Sequence, residues 1–545
     1  MTTPAERSAD AIPAANQPPG RRCRRLVVRI AIVAATAVAI GLAVVFLGGW
    51  SRSTFIQSPW NSIPKATPEE LAKLHDPEAL RADLDAIIAL HERACPKPYL
   101  RVSKDSILAL SARLQASIIR PMTRREFLPL VMELQAGYRS DHSAMGFPSE
   151  DLEFALAHGE RMLPFRAEPR DGDLVVVAVA ESERAIEPGD RIVRIGKLSA
   201  ADHLARLRAL VPDETARYRD AEIRERYRTL ALAAGVTLPT EIECIRPDGS
   251  RRTAMVEGVG DGVRATERTS ATVARANITA TPRGEILVEN PPFRCLLLAS
   301  DLPGESPIAL IDFPTMGGPL GRQWNRFLDQ AMNAANSRLA AGLIVDIRKN
   351  GGGSTDLGEA LLARVTDRPY RMASRIVWRK SPESDAKFRL MTKPMWRWLS
   401  FALPFFIPEY AALRHGEDST FEFEATGRPR VEPGFHGPTC LLIGDQTFSA
   451  ATDLADAART YDLMLTIGQP TGGVPNSLGE IGPFQLPNSR LVVNVSMKSF
   501  SRASGDESDL GPVRPHIEVN PVTGRDTEME RAVVEIRSLD VERRK

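Results

Sequence analysis

Cysteine is scarce in this 545-residue sequence: five residues, Cys23, Cys95, Cys244, Cys295 and Cys440, at spacings that match no metal pattern. Cys295 and Cys440 sit in the apolar runs FRCLLL and TCLLIG and read as small buried hydrophobes. Net charge is also lacking. Seventy Lys and Arg against 69 Asp and Glu leave +1, which argues against an acidic tail or a polycation tracking nucleic acid. The Gly-x4-Gly-Lys-Ser/Thr phosphate loop is missing as well. Neither a metal nor any other cofactor is expected. Composition is otherwise ordinary, with 43% apolar and 26% charged residues, so a disordered chain is excluded and several cores are affordable in length.

The charge balance fails locally. Arg21, Arg22, Arg24, Arg25 and Arg29 precede IAIVAATAVAIGLAVVFLGGW, an uncharged run over residues 30–50. About 20 helical residues cross a bilayer, and a basic flank stays in the cytoplasm. The reading is one transmembrane anchor, with a cytoplasmic tail at 1–29 and the main domains periplasmic or otherwise extracytoplasmic. A cleaved signal peptide fits less well, because the run is long and no A-x-A site follows.

Beyond a linker at 51–65, apolar residues recur at helical spacing, predicting a helical N-domain over 66–150. The pattern then changes. DLVVVAVA and EPGDRIVRIGKLSA read as strands and a hairpin, and TEIECIRPDGSRRTAMVEG turns at Pro247-Asp248-Gly249. EPGDRIVRIG is similar to the carboxylate-loop hairpin of a PDZ domain, predicting a PDZ-like domain over 151–260. From 261 to 525 strands and helices alternate as in an α/β core, with a C-terminal tail at 526–545. The aromatic segment 394–413 reads equally as a core or interface piece and as a lid or membrane-surface wedge.

Two strand-to-helix turns carry chemistry. Ser449 ends the strand LLIGD at the start of a helix, where unpaired backbone N–H groups favour a developing anion. A serine there is more commonly just an N-cap. Lys349-Asn350-Gly351-Gly352-Gly353 follows the buried strand AGLIVDIR, and glycines let amides approach a ligand closely. A plain tight turn is the competing reading.

GLIVDIRKNGGG and QTFSAATDLADAARTYDLMLTIGQPTGG, in this order behind EPGDRIVRIG, resemble the S41 peptidases, which include the C-terminal processing proteases and tricorn protease. The resemblance runs from about 66 to 520. It implies a crotonase-like α/β core, a serine endopeptidase and polypeptide substrates, with the PDZ-like domain selecting an extended peptide or a C-terminus by strand addition. It implies Ser449 as nucleophile, with Ala450 and Gly351, Gly352 or Gly353 supplying the oxyanion amides. The processing proteases' lysine is absent, since the Thr-x-Gly-Lys place reads Thr471-Gly472-Gly473-Val474; Lys498 lies in an unmatched context. The tricorn-like branch uses a histidine instead, and SDHSAMGFP assigns it to His142. The accompanying acid falls in SGDESDLGPVRPHIEV: Glu507 by residue type, Asp509 by spacing. The rival expectation is a non-catalytic S41-fold binding protein for apolar ligands or peptides.

Overall fold

The computed structural model describes residues 57–260, 267–269, 284–298, 306–318, 320–394, 413–414, 416–522 and 524–544. The aromatic stretch 395–412 lies outside these residues.

Short apolar runs build the central sheet. Its seven strands are ordered Gly284–Asn290, Phe293–Leu298, Ile308–Asp312, Leu343–Asp346, Thr439–Ile443, Leu465–Gly468 and Ile517–Glu518. Pairing is antiparallel as far as Ile308–Asp312 and parallel from there on. Successive residues face opposite layers. Leu343, Val345, Leu441 and Ile443 join Trp324, Phe327 and Leu454 on one face. Ile344, Cys440 and Leu442 meet Ala532 and Ile536 on the other. Burial on both faces explains why these strands are continuously apolar rather than alternating.

Helices Gly321–Ser337, Thr355–Val365 and Ala450–Thr460 supply the first layer. The segment expected as a C-terminal tail is helical over Thr527–Arg544 and supplies the second. Arg348, at the exit of the strand Leu343–Asp346, ties the layers together. Its guanidinium lies 2.7 Å from Asp346, 2.6 Å from Asp526 and 3.4 Å from Glu528.

A four-stranded antiparallel sheet, ordered Asp418–Glu422, Arg375–Arg379, Val492–Ser501 and Ser477–Gln485, flanks this core. The helices Pro77–Ala94 and Arg124–Gly137 pack on it. Asp83, fully buried, accepts hydrogen bonds from the Asn488 and Ser489 backbone N–H groups at 3.0 and 2.7 Å. The hairpin region forms a sheet ordered Phe165–Arg170, Asp173–Ala180, Arg191–Ile195, Thr240–Ile245 and Arg251–Val256. One apolar cluster runs through the N-terminal helices, this sheet and Leu486, Leu491 and Val493.

The expected transmembrane helix is corrected. Among the described residues no helix is long and apolar enough to cross a membrane. The longest, Pro77–Ala94, Ala216–Ala233 and Thr527–Arg544, have 18 residues each and carry charged side chains along their length. Residues 30–50, on which the anchor and the single-pass, extracytoplasmic placement rested, lie outside the described residues. The fold class is mixed α/β, with no membrane span assigned.

Candidate active site

Both turns singled out in the sequence leave the carboxyl ends of adjacent parallel strands, the end at which open α/β sheets bind ligands. The strand Leu343–Asp346 runs out to Asn350 and the glycines; its neighbour Thr439–Ile443 runs out to Ser449. Asn350, fully buried, clamps them. Its amide donates to the Phe313 carbonyl at 2.8 Å, its side-chain oxygen accepts the Gly352 N–H at 2.9 Å, and its carbonyl accepts the Phe448 N–H at 3.0 Å.

Gly352 is required where it stands. Its φ is +89°, and a Cβ there would come within 2.6 Å of the Phe448 carbonyl and 2.7 Å of the Ser449 Cβ. The 471–473 return closes the other side, the Gly473 N–H donating to the Thr447 carbonyl at 3.0 Å.

Ser449 is not a helix cap. It precedes Ala450–Thr460, yet its side chain makes no capping hydrogen bond, and its backbone sits at φ 53°, ψ −129°. A non-glycine residue there carries strain of about 1–3 kcal/mol, the kind of cost that persists where a side chain must be aimed. Its Oγ lies 3.0 Å from His142 Nε2, across 307 residues of chain.

His142 arrives on the short 3-10 turn Asp141–Ser143, after the helix Arg124–Gly137. Asn494 Nδ2 holds the Ala144 carbonyl at 2.9 Å, and Arg226 holds that of Met145 at 2.6 Å. The imidazole packs on Phe448 with centroids 4.6 Å apart, and Tyr218 in turn stacks on Phe448 at 4.5 Å. This enclosure pushes the His142 pKa down to about 4 by desolvation, so the ring is neutral at pH 7 and able to accept a proton.

The two acids expected from sequence are placed elsewhere. Glu507 accepts from Ser501 Oγ at 2.8 Å and Arg375 at 2.7 Å; the Ser501 bond foremost holds its carboxyl below the ordinary range. Asp509 bonds Arg502 and the Gly511 N–H. Neither touches His142, whose buried Nδ1 has no hydrogen-bond partner among the described residues. Lys498 is distant in role too, pairing with Glu480 at 3.1 Å over the Trp378 ring.

Sequence reasoning passed over a second acidic group beside the histidine. Asp141 and Glu214 are buried beside one another, and Arg101 Nε stands 3.8 Å from Glu214, beyond hydrogen-bond length. Burial pushes Glu214 up to about 7 and raises Asp141 well above its ordinary value. Asp141 was in view beside His142; Glu214 comes from a distant loop and left no local signal. Among the described residues no group of three or more His, Cys, Asp or Glu side chains is arranged to hold a metal.

Residues 307–519 match the model of Peptidase family S41. That segment holds both turns of the site, and the likeness supports a serine-type peptidase activity on polypeptides. Among solved structures it is similar to mature CPAF, at 17% identity over 85% of this chain and 96% of that one, TM-score 0.58. A second match is mature CPAF complexed with lactacystin, at 16% identity, 85% and 98% coverage, TM-score 0.56. These likenesses concern the fold. No curated protein matches the sequence.

Proposed function

We propose that this peptidase hydrolyses peptide bonds with Ser449 as nucleophile and His142 as its general base. The observation that carries the reading is the 3.0 Å contact between His142 Nε2 and Ser449 Oγ, made by a serine held in a strained, non-capping turn. Ser449 Oγ attacks the scissile carbonyl carbon while its proton passes to His142 Nε2. The carbonyl oxygen becomes the tetrahedral oxyanion, facing the Ala450 N–H and the amides of Gly351 and Gly353. Gly352 plays a different part, because its N–H is already donated to Asn350. Collapse expels the amine, which takes the proton from His142. Water, activated by the same imidazole, then releases the acyl group.

Glu507 and Asp509 are not needed at the imidazole in this reading, since their hydrogen bonds brace the 501–511 loop. Selection of peptide C-termini by the 151–260 region is the accompanying proposal, resting on its PDZ-like hairpin EPGDRIVRIG.

Fluorophosphonate labelling and cleavage of an unfolded protein substrate test the site. Both fall by more than about 1,000-fold in Ser449→Ala and in His142→Ala. Retained cleavage in Ser449→Ala rejects the nucleophile; labelling and cleavage absent from the wild-type chain favour a binding protein.

A further inference from the structure

One helical turn beyond the nucleophile, the sequence places an acid that no part of the hydrolytic step uses. Asp453 follows Ser449 by four residues, and its N–H donates to the Ser449 carbonyl at 3.1 Å, so both residues belong to one turn of about 5.4 Å rise. The residue is 8% exposed, yet among the described residues no hydrogen bond or ion pair reaches its carboxylate. Its neighbour Asp456 differs: Arg502 lies 3.0 Å from it and the Ala503 N–H 2.7 Å. Burial raises Asp453 well above the ordinary aspartate range, with the Asp456 charge adding to the effect. Unpaired, such a group is held in its neutral form, and a cation brought beside it favours the carboxylate.

It also faces a cavity of about 170 Å³. Thr355, the first residue of the helix that follows the glycine loop, lines this space with Tyr370, Met372, Ile376 and Phe500. These walls would cover an alkyl stem. Four further charged groups stand at the cavity: Glu359, Glu424, Arg371 and Arg428. The Arg371 guanidinium is engaged by the carbonyls of Ala503, Phe423 and Ser504 at 2.7, 2.6 and 3.3 Å, and Arg428 is exposed. Neither arginine pairs with Asp453.

We propose that this cavity receives the side chain of the substrate residue on the acyl side of the scissile bond, and that Asp453 selects lysine or arginine there. The assignment rests on the Ser449–His142 reading. An aliphatic stem lies along Met372 and Phe500 while the cationic head meets the carboxylate, the division long basic side chains favour. An apolar side chain of equal length would leave Asp453 buried and unpaired, which is the basis of discrimination.

The experiment compares internally quenched peptides identical except for lysine, norleucine or glutamate at that position, with wild-type chain and Asp453→Asn. Lysine is expected to exceed norleucine by about 30-fold or more in kcat/KM, and the ratio to collapse to about three-fold or less in Asp453→Asn. A wild-type ratio near one, or a ratio unaltered by the substitution, overturns the proposal. If Asp453→Asn does not fold, the wild type decides alone: benzamidine slows fluorophosphonate labelling of Ser449 and benzyl alcohol at equal concentration does not. Equal effects overturn it. Loss of the underlying reading is visible separately, as labelling that persists in Ser449→Ala. Ser449-dependent labelling without lysine preference removes only the specificity assignment.

Discussion

At the scale of single residues, a serine before a helix is ordinarily a cap, and the outcome here turned on where its oxygen points. Ser449 Oγ bonds no backbone N–H of its own helix and meets His142 instead. The histidine's burial has a kinetic consequence. Only the neutral imidazole accepts the serine proton, and desolvation pushes its pKa down to about 4. Ser449 labelling should therefore stay nearly constant from pH 7 to about pH 5 and fall only toward pH 4. A midpoint at the ordinary 6.5 would mean that water or a carboxylate reaches the ring. Glu214 has the opposite sign. Its pKa rises from the ordinary 4.5 to about 7, so the folded state favours its protonated form and loses stability as pH climbs through this window. Glu214→Gln removes that loss. Its stability relative to wild type, read by urea unfolding at pH 5 and pH 8, should rise between them by on the order of 2 kcal/mol.

At the scale of elements, two parallel strands deliver the site and one tight crossing fixes it. Gly352 sits where the glycine loop touches the nucleophile turn, with φ +89° and no room for a Cβ. Gly352→Ala should cost about 1–3 kcal/mol of stability and reduce Ser449 labelling by about 100-fold, because the turn carrying the proposed oxyanion amides must shift. Gly351→Ala is the control: a Cβ there meets nothing within 4 Å. Equal damage from both would show that local flexibility, rather than the crossing, matters.

For the whole molecule, the proposed nucleophile and base come from opposite halves of the chain. His142 follows N-terminal helices whose cluster also contains Leu486, Leu491 and Val493. The Asp83 carboxylate, buried and bonded to the Asn488 and Ser489 N–H groups, fastens these helices to the flanking sheet. Asp83→Ala leaves those donors unsatisfied and should cost about 3 kcal/mol. Because the site exists only across this junction, loss of labelling in urea should coincide with loss of tryptophan fluorescence. An earlier loss of labelling, with the core intact, would show that the N-terminal helices release on their own.

The sequence by itself determined the local parts: buried parallel strands from unbroken apolar runs, the glycine loop from its three glycines, and Ser449 at a strand–helix turn. These are legible because each depends on neighbours a few residues apart. His142 was reached only through the short SDHSAMGFP resemblance, and its contact with Ser449 spans 307 residues. Tertiary structure alone decided that Glu507 and Asp509 bond away from the imidazole, that Glu214 and Arg101 come to lie near Asp141, and that Asp453 lines a cavity where, among the described residues, no cation pairs with it. Hydrogen bonding and desolvation depend on which distant segments pack together, and residue type and spacing along the chain do not encode that.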